Sequence, residues 1–549
     1  MRKKYIFVVG GVMSGVGKGI TTSSIGKIIQ SRGFRVTALK IDPYINVDAG
    51  TMNPTEHGEV FVLKDGNETD QDMGNYERFL NIELTRANYM TTGLVYQTVI
   101  ERERNLAYGG TCVEVVPHIP LEVIGRIENA AKKAAADVTI VEIGGTIGEY
   151  QNILFLEAAR MMKASHPTDV LFVLVSYLPI PNKVGEMKTK PTQYAARTLN
   201  SAGIQPDIIV ARSRVPLDTR RKEKLALFCN VNEEDVISAP DVDSIYEVPV
   251  NFEKDRLSAT ILKKLGLSPR RTNLTDWQKL VRRIKGLTVP VRIGVIGKYF
   301  ETGDFILSDS YISVIEAIKH AAYRVGRKPI IDWLNSEVYE KNPSKLKELG
   351  LYDGIVVPGG FGARGIEGKI AAVGYCRKNK IPYFGLCYGM QIAVIEYARN
   401  VLRLRDAHTT EIKNDTSHPV IDIMPEQIKN IAQKKFGGTM RLGSYPALLS
   451  PRTIAASAYG KKEVSERHRH RYEVNPAYIE RLKNAGAVFS GTSPDGILME
   501  IMELPRTIHP FFLGTQFHPE FQSSPLTAHP LFVAFMRAAA QKKKGTRKK

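Results

Sequence analysis

A cysteine stands between two glycines at the point where an apolar stretch gives way to a helical pattern. The string runs Ile381-Pro382-Tyr383-Phe384-Gly385-Leu386-Cys387-Tyr388-Gly389-Met390-Gln391. Small residues two positions before and two positions after Cys387 let the backbone turn sharply and expose the side chain, the geometry called a nucleophile elbow. The following helix, predicted from Met390 to Arg399, favours the thiolate, which is the reactive form. The pattern therefore predicts that Cys387 is a nucleophile.

A thiolate nucleophile needs a base and a group that orients the base. The string Phe511-Phe512-Leu513-Gly514-Thr515-Gln516-Phe517-His518-Pro519-Glu520 supplies both, because a strand ends in His518 and Glu520 stands two residues on. In an extended segment these side chains point to the same side, so His518 is predicted to exchange the proton and Glu520 to fix its tautomer. The backbone N–H groups of Gly360, in a glycine loop, and of Tyr388 are predicted to stabilise an oxyanion.

None of the remaining cysteines, Cys112, Cys229 and Cys376, has a small residue two positions after it, and all three are predicted to be small buried apolar side chains. The four cysteines are widely spaced, without a CxxC pair and without clustered histidines. That spacing excludes a disulfide framework and a structural zinc site.

A second group of glycines follows the first predicted strand, Tyr5–Val9. The string is Gly10-Gly11-Val12-Met13-Ser14-Gly15-Val16-Gly17-Lys18-Gly19-Ile20-Thr21-Thr22, and a helix follows. Such a loop binds phosphate oxygens through backbone N–H groups, the helix N-terminus and the Lys18 ammonium. It departs from the usual phosphate-loop pattern, because Val12 replaces the first glycine and Gly19 replaces the Ser or Thr that binds magnesium. A purely structural glycine turn is the alternative interpretation of this motif alone.

Since Gly19 cannot hold a metal ion, carboxylates must do so. Asp70 and Asp72 lie in a polar stretch, and Glu142 ends the predicted strand Val138–Ile143 just before a glycine loop. Open α/β sheets bind their ligands at the carboxyl ends of such strands, and a hard cation on phosphate oxygens needs one or two carboxylates. These acids are therefore the candidate metal ligands.

Apolar runs alternate with helical stretches in two blocks, which predicts two α/β domains with largely parallel, doubly wound sheets. The predicted strands are Tyr5–Val9, Arg35–Ile41, Val138–Ile143, Val170–Val175 and Ile208–Ala211 in the first block, and 291–298, Gly354–Val357, Tyr383–Gly385 and Phe511–Gln516 in the second. The predicted boundaries are 1–267 for the first domain, 268–290 for a linker with a short helix around Trp277, 291–540 for the second domain and 541–549 for a basic tail.

Composition narrows the class of protein. A chain of 549 residues with 43% apolar and 24% charged residues is globular and too long for one core. No apolar run reaches the roughly 20 residues that span a bilayer, and the basic, apolar start leads into the glycine loop, so we expect a first strand and a cytoplasmic protein. Six of the 19 net positive charges lie in Lys542–Lys549, predicted to be a disordered arm that makes at most non-specific contacts with nucleic acid.

Four strings together resemble the synthetase domain of the CTP synthase family: the glycine loop, Lys40–Met52, Glu142–Gly148 and Lys188–Gln193. The cysteine elbow and the His-Pro-Glu string resemble class I glutamine amidotransferases. The resemblance covers nearly the whole chain. It implies a P-loop-like synthetase domain followed by a glutaminase domain, in which ATP phosphorylates O4 of UTP and ammonia from glutamine displaces the phosphate to give CTP.

The resemblance also assigns residues to ligands. ATP is assigned to Ser14, Gly15, Val16, Gly17, Lys18, Gly19, Ile20 and Asp72. UTP and the inhibitor CTP are assigned to Ser14, Glu149, Tyr150, Gln151, Lys188, Thr189, Lys190, Pro191, Thr192, Gln193 and Lys224, with Phe228 nearby. Glutamine is assigned to Gly360, Gln391, Glu411 and Arg471, phosphate transfer to Lys18 and Lys40, and Mg²⁺ to Asp72 and Glu142.

Further family properties are implied: activation by GTP, feedback inhibition by CTP, a homotetramer, and an internal passage for ammonia with His57 along it. Two departures from the family pattern are visible. Glu149-Tyr150-Gln151 stands where the family has Asp-Ile-Glu, and the segment from Tyr299 to Tyr311 is longer than the family's usual run.

Two other hypotheses remain open from the sequence. One is a different ATP-dependent amidase fused to the same glutaminase, such as one that acts on a corrinoid carboxylate, which should lack the Lys-Thr-Lys-Pro-Thr-Gln loop. The other is a nucleic-acid-binding or filament-forming protein with an inactive enzyme fold, which the intact set of catalytic residue types disfavours.

Overall fold

The structure is a computed structural model that describes residues 2–11, 13–183, 185–297, 301–302, 305–306, 308–360, 362–433 and 437–541. Val12, the basic tail Lys542–Lys549 and five positions of the 299–311 segment lie outside the described residues.

The strands, in chain order, are β1 Lys4–Gly11, β2 Val36–Asp42, β3 Phe61–Val62, β4 Glu68–Thr69, β5 Tyr89–Thr91, β6 Val138–Ile143, β7 Val170–Tyr177, β8 Ile208–Ser213, β9 Val236–Pro240, β10 Pro290–Gly297, β11 Glu301–Thr302, β12 Phe305–Ile306, β13 Lys328–Asn335, β14 Gly354–Val357, β15 Tyr383–Leu386, β16 Ala407–Thr409, β17 His418–Ile423, β18 Arg441–Leu449, β19 Glu463–His470, β20 Tyr472–Val474, β21 Val488–Thr492, β22 Met499–Glu503 and β23 Phe512–Thr515.

The α-helices are α1 Lys18–Ser31, α2 Pro54–His57, α3 Asp72–Leu80, α4 Thr92–Arg104, α5 Val115–Lys133, α6 Ile153–Ser165, α7 Lys190–Ser201, α8 Thr219–Cys229, α9 Val248–Lys254, α10 Leu257–Lys264, α11 Thr275–Lys285, α12 Ile312–Arg324, α13 Ser336–Lys341, α14 Ile366–Lys378, α15 Tyr388–Asn400, α16 Pro425–Ala432, α17 Ile454–Tyr459, α18 Pro476–Asn484 and α19 Pro530–Gln541.

The chain forms two compact units, and one short segment crosses from the first part of the sequence into the second unit. The first unit contains Met1–Ala49 and Asp72–Val281, and the second contains Gly50–Gln71 with the chain from Arg282 onward. No local pattern in the sequence indicates that residues 50–71 belong with the second unit.

The first unit is built on a seven-stranded sheet in the order β5-β2-β6-β1-β7-β8-β9, in which all neighbouring strands are parallel. The inner strand β1 is buried at all eight positions. Strands covered on both faces read as near-continuous apolar runs, which explains why these strands could be predicted from Val- and Ile-rich stretches. The carboxyl ends of β1, β2 and β6 carry the glycine loop, Lys40 and Glu142.

The second unit contains a nine-stranded sheet in the order β13-β10-β14-β15-β23-β22-β21-β18-β19. Its first five strands are parallel and the last four continue it in antiparallel fashion. The predicted α/β class is confirmed, but the sheet of this unit is mixed rather than purely parallel. The antiparallel part includes β19, which ends in Arg467-His468-Arg469-His470.

The predicted linker helix around Trp277 is α11, and its residues up to Val281 belong to the first unit. The Trp277 ring is 1% exposed, packs on Phe79 at 5.2 Å between ring centroids and donates its indole N–H to the Tyr246 carbonyl at 2.8 Å. This contact anchors the end of the first unit.

Two of the three non-catalytic cysteines are buried as predicted, Cys229 and Cys376. The prediction is wrong for Cys112, which is exposed. It follows Gly109 and Gly110, both of which have positive φ, so the chain there is a surface turn without a core to cover the thiol. Within the described ranges, no helix is long and apolar enough to cross a lipid bilayer.

Replacing Trp277 with alanine should lower the free energy of unfolding of the first unit by about 3–5 kcal/mol, because the substitution removes a fully buried ring and a buried hydrogen bond. Calorimetric unfolding of the full chain measures this loss. Lys279→Ala, on the exposed side of the same helix, should change the value by no more than about 0.5 kcal/mol. Equal effects of the two substitutions would contradict the anchoring role.

Candidate active site

Cys387 lies on a strained turn between β15 and α15. Its backbone has φ 49° and ψ −99°, a conformation that costs free energy in a residue with a side chain. The turn is tight, since a Cβ on Gly389 would lie 2.2 Å from the Val357 carbonyl oxygen and one on Gly385 would lie 2.6 Å from the Gly389 carbonyl carbon. The glycines predicted to permit the elbow are therefore required by these close approaches.

The position of Tyr388 gives the elbow its electrostatic character. Tyr388 is the first residue of α15, and the first N–H groups of a helix have no acceptor inside the helix. They point toward the end at which the Cys387 sulfur lies and supply partial positive charge there. Gly360, the other predicted oxyanion donor, lines the same cavity as Cys387.

His518 and Glu520 form a buried pair, with 2.7 Å between His518 Nδ1 and Glu520 Oε1. The expectation of an extended segment is wrong here, because β23 ends at Thr515 and Pro519–Gln522 forms a 3₁₀ turn. The turn brings the Glu520 carboxylate back to the ring. The Phe521 ring stacks on the His518 ring, with 5.1 Å between centroids and 16° between planes.

Burial alone would lower the pKa of His518, but the charges of Glu520 and of the Cys387 thiolate oppose it and raise the pKa to about 10. The ring is therefore an imidazolium at neutral pH. Its Nε2 atom has no hydrogen-bond partner among the residues that the structure describes, so this proton is available to a ligand.

Two further groups touch the sulfur. Gln516 Nε2 donates to Cys387 Sγ at 3.5 Å, and the Arg469 carbonyl oxygen lies 3.9 Å from Sγ. A cavity of about 70 Å³ adjoins them; its lining comprises Gly359, Gly360, Cys387, Arg469, His518, Glu520, Phe521, Ser310, Tyr311 and Val314, with Pro54, Glu59 and Val60 from the 50–71 segment. Neither Gln516 nor Arg469 was predicted, although Gln516 stands in the string that ends in His518-Pro519-Glu520 and Arg469 lies two residues before Arg471.

The four residues assigned to glutamine by resemblance, Gly360 among them, lie in the same unit as Cys387. Gln391 is 3% exposed and donates to the Tyr472 carbonyl at 2.9 Å, while Glu411 accepts from the Gly362 N–H at 3.2 Å. The Arg471 guanidinium donates to Thr439 Oγ1 at 2.9 Å. Burial and the charge of Glu411 raise the pKa of Tyr472, and the charge of Arg471 opposes them.

Strand β19 presents alternate side chains to its two faces. His468 Nδ1 lies 3.0 Å from His470 Nε2, and Arg441 pairs with Glu473 and Glu500 at 3.2 and 2.8 Å. Burial lowers the pKa of both histidines well below 6.5. These histidines are therefore neutral and build a buried network behind the strand.

In the first unit, two lysines and two carboxylates converge at the ends of β1, β2 and β6. Lys40 Nζ donates to Glu142 Oε1 at 2.8 Å and to the Asp72 carboxylate, and Lys18 Nζ donates to the Gly145 carbonyl at 2.7 Å. Glu142 is 1% exposed. Asp70, the third predicted metal ligand, belongs to the second unit.

Asp72 explains the unusual residue at position 19. A Cβ built on Gly19 would lie 1.9 Å from Asp72 Oδ1 and 2.5 Å from its carboxyl carbon. The Asp72 carboxylate therefore fills the space that the Ser or Thr side chain of an ordinary phosphate loop would occupy. Gly17, with φ 85°, directly precedes α1, as expected for a loop whose N–H groups face an anion.

Charge and burial oppose each other in this cluster. Burial would raise the pKa of Asp72, but Lys40 holds it below its usual value. Burial raises the pKa of Glu142 and lowers that of Lys18. Two converging carboxylates offer the hard oxygen ligands that Mg²⁺ requires, so the residues present fit that ion.

The segments assigned to the pyrimidine nucleotide lie at the ends of β6 and β7. The Glu149 carboxylate accepts from Thr146 N and Oγ1 at 2.9 and 2.8 Å, while Tyr150 is 91% exposed. Gln151 Nε2 donates to Glu149 Oε2 at 2.7 Å. Two of the three residues that depart from the family string are therefore hydrogen-bonded to each other.

Lys188–Gln193 leads into α7, which begins at Lys190 with Pro191 in its first turn. Thr192 Oγ1 hydrogen-bonds Ser176 Oγ at 2.9 Å and is fully buried, whereas Lys224 is exposed on α8. Lys188 pairs with Glu186 at 2.8 Å. The lysines therefore face solvent while the threonine fixes the start of the helix.

A cavity beside the phosphate loop was not predicted. It measures about 390 Å³ and its lining comprises Gly17, Ile20, Thr21, Arg212, Ala239, Pro240, Asp241, Val242, Ile245, Val248, Asn251 and Phe252. Gly17 and Ile20 were assigned to ATP by the family resemblance, but nothing in the other lining residues, most of which lie on β8, β9 and α9, signals a site in the sequence. Their common feature is position, because β8 and β9 end beside α1.

Known proteins combine these two units in one chain. A sequence model described as CTP synthase N-terminus matches residues 4–267, and one described as glutamine amidotransferase class-I matches residues 306–538. The CTP synthase of Pyrococcus furiosus is 52% identical over 542 residues, covering 98% of this chain and 98% of that protein. The chain belongs to the CTP synthase family.

Other members of the CTP synthase family are similarly close. The CTP synthase of Thermococcus gammatolerans is 51% identical and covers 99% of both chains. That of Carboxydothermus hydrogenoformans is 51% identical and covers 98% of this chain and 99% of that protein. The family resemblance expected from the motifs is confirmed, and the chain spans essentially the full length of these relatives.

Gly19→Ala should weaken ATP binding by this CTP synthase family member about tenfold or more, equivalent to about 1.4 kcal/mol, because the new methyl group must displace the Asp72 carboxylate. Isothermal titration with ATP measures the change. Gly125→Ala is the control, since no atom lies within 4 Å of the Cβ that it adds. Unchanged ATP affinity in Gly19→Ala would show that Asp72 does not need its present position.

Glu520→Gln should lower the pKa of His518, because burial then acts against a weaker opposing charge. A histidine with a raised pKa keeps its proton at neutral pH and loses it as the pH rises through that value, here about 10. The alkaline limb of the rate of glutamine hydrolysis should therefore move to lower pH. Glu466→Gln, which alters the separate buried pair of Glu466 with His529, should leave the limb in place; a limb unmoved by Glu520→Gln would contradict the assignment.

Proposed function

We propose that this chain makes CTP from UTP, with ATP as the energy source and glutamine as the nitrogen donor. Membership of the CTP synthase family over both parts of the chain supports the reaction. Within the structure, the observation that carries the proposal is the strained Cys387 elbow beside the His518–Glu520 pair. The same chain has a phosphate loop in which the Asp72 carboxylate lies against Gly19.

In the glutaminase reaction, the Cys387 thiolate attacks the carboxamide carbon of glutamine and forms a tetrahedral intermediate. The N–H groups of Gly360 and Tyr388 stabilise its oxyanion. The His518 imidazolium donates the Nε2 proton to the leaving nitrogen, which departs as ammonia and leaves a thioester on Cys387. His518 then accepts a proton from water, which attacks the thioester and releases glutamate.

Gln391, Glu411 and Arg471 are proposed to hold the amino-acid end of glutamine. Glu411 and Arg471 both act electrostatically on Tyr472, and their opposite charges match the ammonium and the carboxylate of the substrate. Arg471 also donates to Gln427 and Thr439, which orient its guanidinium.

In the synthetase reaction, O4 of UTP attacks the γ-phosphorus of ATP and ADP leaves. Ammonia then adds to C4 and phosphate departs, which gives CTP. Lys18 and Lys40 are placed to neutralise charge on the transferred phosphoryl group. Mg²⁺, held by Asp72 and Glu142, would supply further neutralisation of the phosphate oxygens.

The nucleotide sites are proposed from the family resemblance and, for the purine, from a cavity. The triphosphate of ATP is proposed to bind the N–H groups of Ser14–Ile20, and its purine the cavity of about 390 Å³ beside Gly17. UTP and the inhibitor CTP are proposed to bind Ser14, Glu149, Tyr150, Gln151, Lys188, Thr189, Lys190, Pro191, Thr192, Gln193 and Lys224. Buried Thr189 and Thr192 give the α7 end of that site a fixed frame.

Assembly and regulation are proposed from the family. A homotetramer is proposed from the family resemblance alone. Activation by GTP, inhibition by CTP, internal delivery of ammonia past His57 and a cytoplasmic location remain predictions. The small cavity at Cys387 has room for a molecule the size of ammonia.

Incubation with UTP, ATP, Mg²⁺ and glutamine should yield CTP. Cys387→Ala should abolish CTP formation from glutamine and retain it from ammonium, because the substitution removes only the nucleophile of the glutaminase. Chromatographic detection of CTP measures both, with Cys376→Ala, a buried cysteine away from the cavity, as the control.

Three results would limit or overturn the proposal. Glutamine hydrolysis without CTP from either nitrogen source would retain the glutaminase and discard UTP as the acceptor. CTP formation from glutamine by Cys387→Ala would discard the assigned nucleophile. The absence of both activities in wild type would discard the proposal as a whole.

A further inference from the structure

Residues 50–71 lie within the part of the sequence that matches the CTP synthase N-terminus but pack in the second unit. The chain leaves the first unit after Ala49 and returns to it at Asp72. Between them, β3 and β4 pair as a small hairpin, in which Phe61 and Glu68 are nearly fully buried. We call residues 50–71 the inserted segment.

The inserted segment makes hydrogen bonds to α12 and β18 of the second unit. Glu59 accepts from the Ser313 N–H at 3.2 Å, at the start of α12. The backbone carbonyl of Lys64 accepts from the N–H of Ser444, on β18, at 3.0 Å. The segment is therefore an integral part of the second unit rather than a loop resting on its surface.

The first contact with the catalytic groups runs through aromatic rings. The Phe61 ring meets the Phe521 ring edge to face, with 4.9 Å between centroids and 64° between planes. Phe521 in turn stacks on His518 at 5.1 Å. The Arg467 guanidinium lies 5.5 Å from the Phe61 centroid and donates to the Val62 carbonyl at 3.1 Å, so the Phe61 ring is itself held in place.

The second contact runs through a buried ion pair. Arg469 Nε donates to Glu68 Oε1 at 2.8 Å, and the two side chains are 10% and 1% exposed. The carbonyl oxygen of the same Arg469 lies 3.9 Å from Cys387 Sγ. An ion pair in such surroundings has strict geometry, since neither charge can be satisfied by water. Glu68 thereby fixes the stretch of β19 that passes the sulfur.

We propose that Phe61 and Glu68 are positioning residues for the glutaminase. Phe61 holds the plane of the His518 ring through Phe521, and Glu68 holds the Arg469 backbone against Cys387. Neither touches substrate. A nucleophile and its acid must be aligned to within a fraction of an ångström, and small misplacements cost large factors in rate. The synthetase part of the sequence thus supplies two side chains that the glutaminase needs.

Phe61→Leu and Glu68→Gln in the full chain test this role. Each should reduce the turnover number for glutamate release from glutamine by about tenfold and slow the alkylation of Cys387 by iodoacetamide, because the thiolate–imidazolium pair is no longer aligned. Ammonium-dependent CTP formation should stay at the wild-type level, since it uses neither Cys387 nor His518. Leu63→Ala is the matched control, as Leu63 is equally buried in the inserted segment and is not part of either chain of contacts.

The outcomes separate positioning from general packing. Wild-type glutaminase turnover and alkylation in both variants would overturn the proposal, and so would losses no larger than that of Leu63→Ala. A parallel loss of ammonium-dependent activity would also overturn it, because the defect would then be one of folding. The inference rests on the proposed function only for glutamine hydrolysis: if wild type releases glutamate but makes no CTP, the acceptor fails while glutamate release and alkylation still test Phe61 and Glu68.

Discussion

Three parallel strands end side by side in the second unit, and their register places the parts of the glutaminase. Val357 on β14 lies opposite Gly385 on β15, and Gly385 lies opposite Gly514 on β23. The loop that contains Gly359 and Gly360 follows β14, the Cys387 elbow follows β15 and His518 follows β23. Because a shift of one residue would reverse the face of every side chain in a strand, this register must be fixed before any catalytic residue can be in place.

Strand register also places the charged groups of the first unit. Lys40 on β2 lies directly opposite Glu142 on β6, and Val8 on β1 lies on the other side of Glu142. The ion pair is therefore a cross-strand pair buried at the carboxyl edge of a parallel sheet, where opposite charges stabilise each other without competition from water. Asp72, at the start of α3, also accepts from Lys40, so that one lysine is paired with two carboxylates.

The sequence was most informative where one local pattern dictates both backbone and chemistry. The strands, the Cys387 elbow and the glycine loop belong to this group, because buried parallel strands and close backbone approaches restrict residue types strongly. Glu520 was predicted with the wrong backbone, since a proline after His518 is compatible with an extended chain and with a 3₁₀ turn. Cys112 was misjudged because composition alone does not distinguish a buried thiol from one in a surface turn.

The remaining features depend on contacts between distant parts of the chain. The inserted segment pairs Glu68 with Arg469, about 400 positions along the sequence, and no periodicity records such a partner. The cavity beside the phosphate loop likewise draws one to three residues each from β8, β9 and α9. His468 and His470 precede Arg471, and the sequence analysis assigned a role to Arg471 alone. Their neutral state follows first from burial and then from the charge of Arg441, which lies elsewhere in the sequence.

Gly19 and Asp72 share one volume of space, and this has a consequence for how the chain can change over generations. A β-carbon at position 19 would lie 1.9 Å from Asp72 Oδ1, so the carboxylate keeps its present position only while position 19 is glycine. A hydroxyl side chain at position 19 therefore requires Asp72 to move or to be replaced. The two forms of phosphate loop thus differ at two positions that change together.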